Sequence, residues 1–102
     1  MAWVAISENA ERHMEELIDD RGADEHLIAR LQEYFAEISE RPASMTEPAK
    51  YPYTKRLMVN FELNDATARR WRFTVTLRRA ADEEGIIVLT VNGAPSPLSF
   101  DD

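Results

Sequence analysis

Residues 70–78, RWRFTVTLR, place Trp71, Phe73, Val75 and Leu77 on one side of an extended chain. Arg70, Arg72, Thr74, Thr76 and Arg78 fall on the other. A period of two belongs to a strand, and apolar-in, polar-out alternation belongs to a sheet with one packed face and one wet face. Two neighbouring stretches read the same way. In RLMVNFELN the set is Leu57, Val59, Phe61 and Leu63; in GIIVLTVNG it is Ile87, Leu89 and Val91. The breaks at NDATA and AADEEG suit hairpin connections, so the three strands form an antiparallel meander.

A sheet with one apolar face needs a cover, and the first 41 residues supply it. WVAI, residues 3–6, reads as a short first strand. Ser7 is placed to cap a helix whose apolar stripe is Ala10, Met14, Leu17 and Ile18. Gly22 ends it in a left-handed conformation, and Asp24 caps the next helix. That second helix carries Leu27, Ile28, Leu31, Phe35 and Ile38 on one face, with Tyr34 at the margin, until Pro42 stops it. The expected architecture is α+β, in the order β-α-α-β-β-β, with a helix hairpin packed on one face of an antiparallel sheet. Residues 1–102 read as one domain. Residues 42–54 are an extended Pro-rich connection pinned by Met45, Tyr51 and Tyr53. Residues 92–102 are a turn-rich acidic tail in which Leu98 and Phe100 are docking candidates.

Composition excludes several classes of function. The chain has no cysteine, which removes disulfides, thiolate nucleophiles and Cys-based zinc sites. It shows no secretory leader and no apolar run long enough to span a membrane, so a cytoplasmic location is expected. His13 and His26, the two histidines, are 13 residues apart on different helices, too far for an i, i+4 metal pair; both read as surface residues. Paired carboxylates such as Glu15–Glu16 lie on helix surfaces, and GxSxG is absent. No metal, cofactor or catalytic residue is assigned.

Charge is where the sequence speaks about binding. The formal net charge is -7, but residues 1–41 hold 11 acids against 4 bases, residues 42–80 hold 3 against 8, and residues 81–102 hold 5 against none. The basic third holds two of the three meander strands. By alternation Arg70, Arg72 and Arg78 stand on the open face, with Met58, Asn60 and Glu62 from one neighbour and Ile86, Val88 and Thr90 from the other. Two readings of that face stay open. Arginine stems cover apolar sheet surface while Glu62 and the Asp82–Glu84 segment balance their charge. Alternatively the planar forks serve a partner's carboxylates or phosphates. The apolar neighbours favour a protein partner over nucleic acid.

Element order and spacing resemble the RelE/ParE toxin superfamily of bacterial toxin–antitoxin systems, over residues 4–93. The likeness lies in VAIS leading into a helix, LIARLQEYFAEISERP as a second helix ending in Pro42, the extended loop, and IIVLTVNG as the closing strand. The resemblance implies a small bacterial protein neutralised by an antitoxin that wraps its surface. Lys55, Arg56, Arg70, Arg72 and Arg78 then occupy the strands where the family is basic. RelE-type members cut messenger RNA on the ribosome with a basic cluster and further residues near the C-terminus. After Arg79 this chain has no Arg, Lys, His or Tyr, so the ParE-type branch, which acts on a protein target, or equally a divergent relative without toxicity, fits better.

The reading is therefore an interaction protein that binds a protein partner, antitoxin or target, through Lys55, Arg56, Met58, Arg70, Arg72, Arg78, Ile86 and Val88. One alternative is a small acidic inhibitor or immunity-type protein that binds through Glu33, Glu37 and Glu40. A weaker one is a RelE-type mRNA endonuclease.

Overall fold

The computed structural model describes residues 2–50 and 55–96. Within them the order is β1 (Trp3–Ile6), α1 (Glu8–Arg21), α2 (Glu25–Glu40), α3 (Pro42–Met45), β2 (Glu47–Pro48), β3 (Leu57–Asn64), β4 (Arg70–Arg79) and β5 (Gly85–Pro95). The fold is α+β, a mixed sheet with a helix pair packed on one face. Strand order is β1-β5-β4-β3-β2. β2 to β5 pair antiparallel with their neighbours, and β1 joins β5 in parallel. The helix pair is the crossover that brings the chain from β1 to the rest of the sheet.

Local chemistry sets the helix ends. The Ser7 hydroxyl accepts from the Ala10 N–H (3.1 Å). Gly22 closes α1 at φ 80°, a left-handed conformation that a side chain would strain, and the Ala23 N–H donates to the Leu17 carbonyl. Asp24 has two duties. One carboxylate oxygen caps α2 through the Leu27 N–H (2.8 Å); the other accepts from the Ala66 N–H (2.9 Å) in the β3–β4 turn, tying the helix start to the hairpin.

Ala10, Met14 and Leu17 of α1 pack over β5, while α2 lies across the sheet from β1 to β3 with Leu27, Leu31, Phe35 and Ile38 inward. The expected inward sets of β3 and β4 hold. Leu57, Val59, Phe61 and Leu63 lie opposite Leu77, Val75, Phe73 and Trp71 in register. Tyr34, Phe61, Phe73 and Trp71 form a row of stacked rings, with centroids 4.0, 5.4 and 6.5 Å apart. Full burial of Phe73 and Trp71 stabilises the fold by about 1.5–3 kcal/mol each, while Tyr34 and Phe61 are half-buried. Ile18 departs from the expected stripe and is 47% exposed. Eight residues past Ala10 it has rotated roughly 80° around the helix, beyond the strip that meets β5.

Three further expectations are corrected. The connection after α2 is not wholly extended. Pro42 opens the one-turn α3, where its missing N–H costs nothing, and Pro48 lies in the short edge strand β2, where none is needed. Met45 packs against the core; Tyr51 and Tyr53, like Leu98 and Phe100, lie outside the described residues. β5 continues through Asn92–Pro95, which the sequence reading assigned to the tail, because β4 offers Trp71–Thr74 as a pairing partner there.

The third correction concerns the face of β5. Ile86 and Val88 are 1% and 0% exposed, core residues rather than members of the open face; Ile87 and Leu89 are half-buried and not in the core set. Thr76 pairs with Thr90 but Leu77 pairs with Val88, so Leu89 is an extra residue, a β-bulge. Alternation inverts across it: Ile86 and Val88 point inward before the bulge, Val91 after it. The run IIVL, residues 86–89, offers no polar residue to mark the register.

Candidate functional site

Alternation along β4 is unbroken, so Arg70, Arg72, Thr74, Thr76 and Arg78 occupy the face away from the helices. Facing them are Asn64, Glu62, Asn60 and Met58 from β3, and Ala94, Asn92, Thr90 and Ile87 from β5. Of the predicted binding residues, Arg70, Arg72, Arg78 and Met58 share this face. Lys55 and Arg56 are exposed on the turn that enters β3. Ile86 and Val88 are on the other side, and Ile87 takes their place opposite Arg78.

The cations are partly matched within the molecule. Glu62 accepts Arg70 at 3.5 Å and Arg72 at 3.3 Å. Both arginines remain about 60% exposed, so these pairs contribute at most about 1 kcal/mol each. The expected balance from Asp82–Glu84 takes a different form. Asp82 accepts from the Trp3 indole N–H (3.1 Å) and from the Glu84 N–H (2.9 Å). The Glu84 N–H is the main reason that the Asp82 carboxyl is held below the usual range; desolvation opposes it and the Trp3 hydrogen bond assists it. Arg79 donates to the Glu83 carbonyl instead of a carboxylate. Among the described residues Arg78 forms no ion pair; its guanidinium reaches the Arg79 carbonyl at 3.5 Å.

Arg72 sits between two hollows. One, of about 440 Å³, opens toward β3 over Asn60, Glu62 and Thr74. The other, of about 380 Å³, lies between α1 and β5 and is lined by His13, Glu16, Arg21, Arg72, Asn92 and Gly93 among others. His13 is half-buried, not a free surface residue: its Nδ1 accepts from the Val91 N–H (3.1 Å). The acceptor must be unprotonated, so the ring hydrogen is on Nε2. His13, Glu16, Arg21 and Asn92 were missed in the sequence. Their one signal was position, since His13, Glu16 and Arg21 flank the Met14–Leu17 stripe on the helical period.

The turn that holds the end of the arginine strand is built on Asp65, which is 7% exposed. It accepts from the Thr67 N–H and hydroxyl, the Arg69 N–H, and the buried Trp71 indole N–H (2.9 Å). Burial alone would raise its pKa; the hydrogen bonds, led by Trp71 and Thr67, outweigh that and hold it at about 2. No three His, Asp or Glu side chains among the described residues gather to hold a metal ion, and no described helix is long and apolar enough to cross a membrane.

A helix pair laid on one face of a five-stranded mixed sheet matches a RelE-like fold. A chain from the crystal structure of the toxin–antitoxin complex RelBE2 of Mycobacterium tuberculosis superposes with a TM-score of 0.64 at 14% identity, over 87% of this chain and 93% of that one. The solution structure of the conserved hypothetical protein HP0892 of Helicobacter pylori gives 0.56 at 13% identity, over 90% and 93%. At such identities the likeness is one of fold. No protein-family model and no curated protein matches the sequence.

Proposed function

We propose that this is a toxin-fold protein that works by binding a protein partner, an antitoxin or a target, through the open face of its sheet. The carrying observation is that Arg70, Arg72 and Arg78 stand together on the face that the helices leave uncovered. Guanidinium forks beside Met58, Ile87 and the Thr74–Thr76 hydroxyls suit a protein segment that offers carboxylates and apolar contacts together. The antitoxin in the RelBE2 complex supports a partner of this kind. Two features favour binding over catalysis. The cations are already drawn toward Glu62, and the ring nitrogen of His13 that would accept a proton is engaged by Val91.

The first test is growth of a bacterial host after tightly controlled induction of the wild type and of an Arg72→Glu, Arg78→Glu variant. Arrest by the wild type and growth with the variant is the expected result. Normal growth with soluble wild-type protein would remove the toxin reading for that host. Ribosome-bound messages incubated with purified protein should stay intact; cleavage would replace binding by RNA hydrolysis.

A further inference from the structure

The structure has a half-open strand next to its α1 cleft, and the two share residues. β1 covers β5 only from Gly85 to Val88, while β5 runs on to Pro95. The Ser96 N–H donates to the Arg70 carbonyl, which fixes the alternation: residues 92, 94 and 96 bond toward β4, and the N–H groups of Val91 and Gly93 point away from it. His13 takes the first of these. The Gly93 N–H faces the cleft, and Pro95 has none to offer.

We propose that this cleft seats an acidic side chain of an extended segment of the protein partner. The proposal rests on the reading of the open face as a protein-binding surface, and it specifies where the partner is read and by what chemistry. Arg72, Arg21 and His13 bring donors to the cleft; Asn92 and Thr74 can donate or accept, and Glu16 is its one carboxylate. Arg72 engages Glu62 through Nε, leaving its terminal nitrogens, and the small Ala94 beside it leaves the way across β5 open. Arg21 comes from the last turn of α1, and His13 presents Nε2–H. Such a set calls for an anionic acceptor.

Glu16 on the same wall narrows the choice. It offsets one of the two guanidinium charges, so a single carboxylate matches the charge that is left and a phosphate dianion exceeds it. Leu17 on that wall provides apolar contact for the methylene stem of a glutamate. The Gly93 N–H gives the segment's backbone one hydrogen bond along the edge, and His13 and Pro95 limit that pairing to a short stretch.

The test is titration of the isotope-labelled full chain with a capped pentapeptide of alternating valine and glutamate, followed by NMR. A glutamine counterpart and inorganic phosphate are run beside it. The glutamate peptide should saturate with the largest shifts at Gly93, Ala94 and the His13 ring. Arg21→Gln, at an exposed helix end, should weaken it by about five- to tenfold, the loss of one charge-assisted contact. Equal binding of the glutamine peptide, tighter binding of phosphate, or no saturation at millimolar peptide would overturn the proposal. Arg78→Glu separates the two readings in the growth assay. If it relieves arrest while Arg21→Gln changes neither arrest nor peptide binding, the cleft assignment falls and the open-face reading stands. If neither relieves it, both fall.

Discussion

On the helix side of β4, Trp71, Phe73, Val75 and Leu77 are closed off from water; on the other side Arg70, Arg72 and Arg78 stand in it. The same ten residues therefore answer two demands. The inner set is held by burial, and Phe73 packs so closely that a Cβ on Gly93 would lie 2.4 Å from its ring. The outer set is held by little, since its ion pairs are exposed and share one carboxylate. An inner residue is there because the fold needs it. An outer arginine contributes little to folding beyond its stem's cover of the sheet and an exposed ion pair.

That contrast can be broken by substitution. Trp71→Ala should have the largest effect, about 3–5 kcal/mol in urea unfolding, through lost volume and the loss of the donor to Asp65 Oδ2. Asp65→Ala comes next, at about 2 kcal/mol, because it leaves the buried indole N–H and the turn amides without an acceptor.

Asp65 also predicts a pH dependence. Its folded pKa, about 2, lies below the ordinary 3.8, so the carboxylate's contribution is complete above 3.8 and is lost as pH falls through 2. Urea midpoints followed down that range should drop for the wild type more steeply than for Asp65→Asn. Parallel curves would mean that the turn does not depend on the charge.

Arg70→Ser with Arg72→Ser should change stability by less than about 0.5 kcal/mol while relieving growth arrest. A cost as large as that of Asp65→Ala would make the arginines structural and dissolve the distinction between the faces. Charge reversal at Glu33, Glu37 and Glu40, all exposed on α2, should have the smallest effect, leaving stability and arrest nearly unchanged. Loss of activity there with the arginine variants unaffected would move the interface to the acidic helices.

Much of this molecule is local and was legible for that reason. Ser7, Gly22 and Asp24 bound the helices because capping depends on a few adjacent atoms. β3 and β4 declared their faces because polar and apolar residues alternate without interruption, and the arginine face followed from the same alternation. β5 did not, since every residue from Ile86 to Leu89 is apolar and either face would have served. Its register was decided by β1 on one side and β4 on the other, and the Leu89 bulge reconciles the two. The α1 cleft was equally invisible. His13 and Val91 are 78 residues apart, and only the packing of α1 over β5 brings an imidazole to an amide that the sheet leaves unpaired. The sequence by itself determined the elements, their caps and the face that carries the positive charge, because those depend on neighbours in the chain. Tertiary structure decided which side of β5 is core and what stands beside Arg72, because hydrogen bonds between distant strands and helices are satisfied only when the whole sheet is assembled.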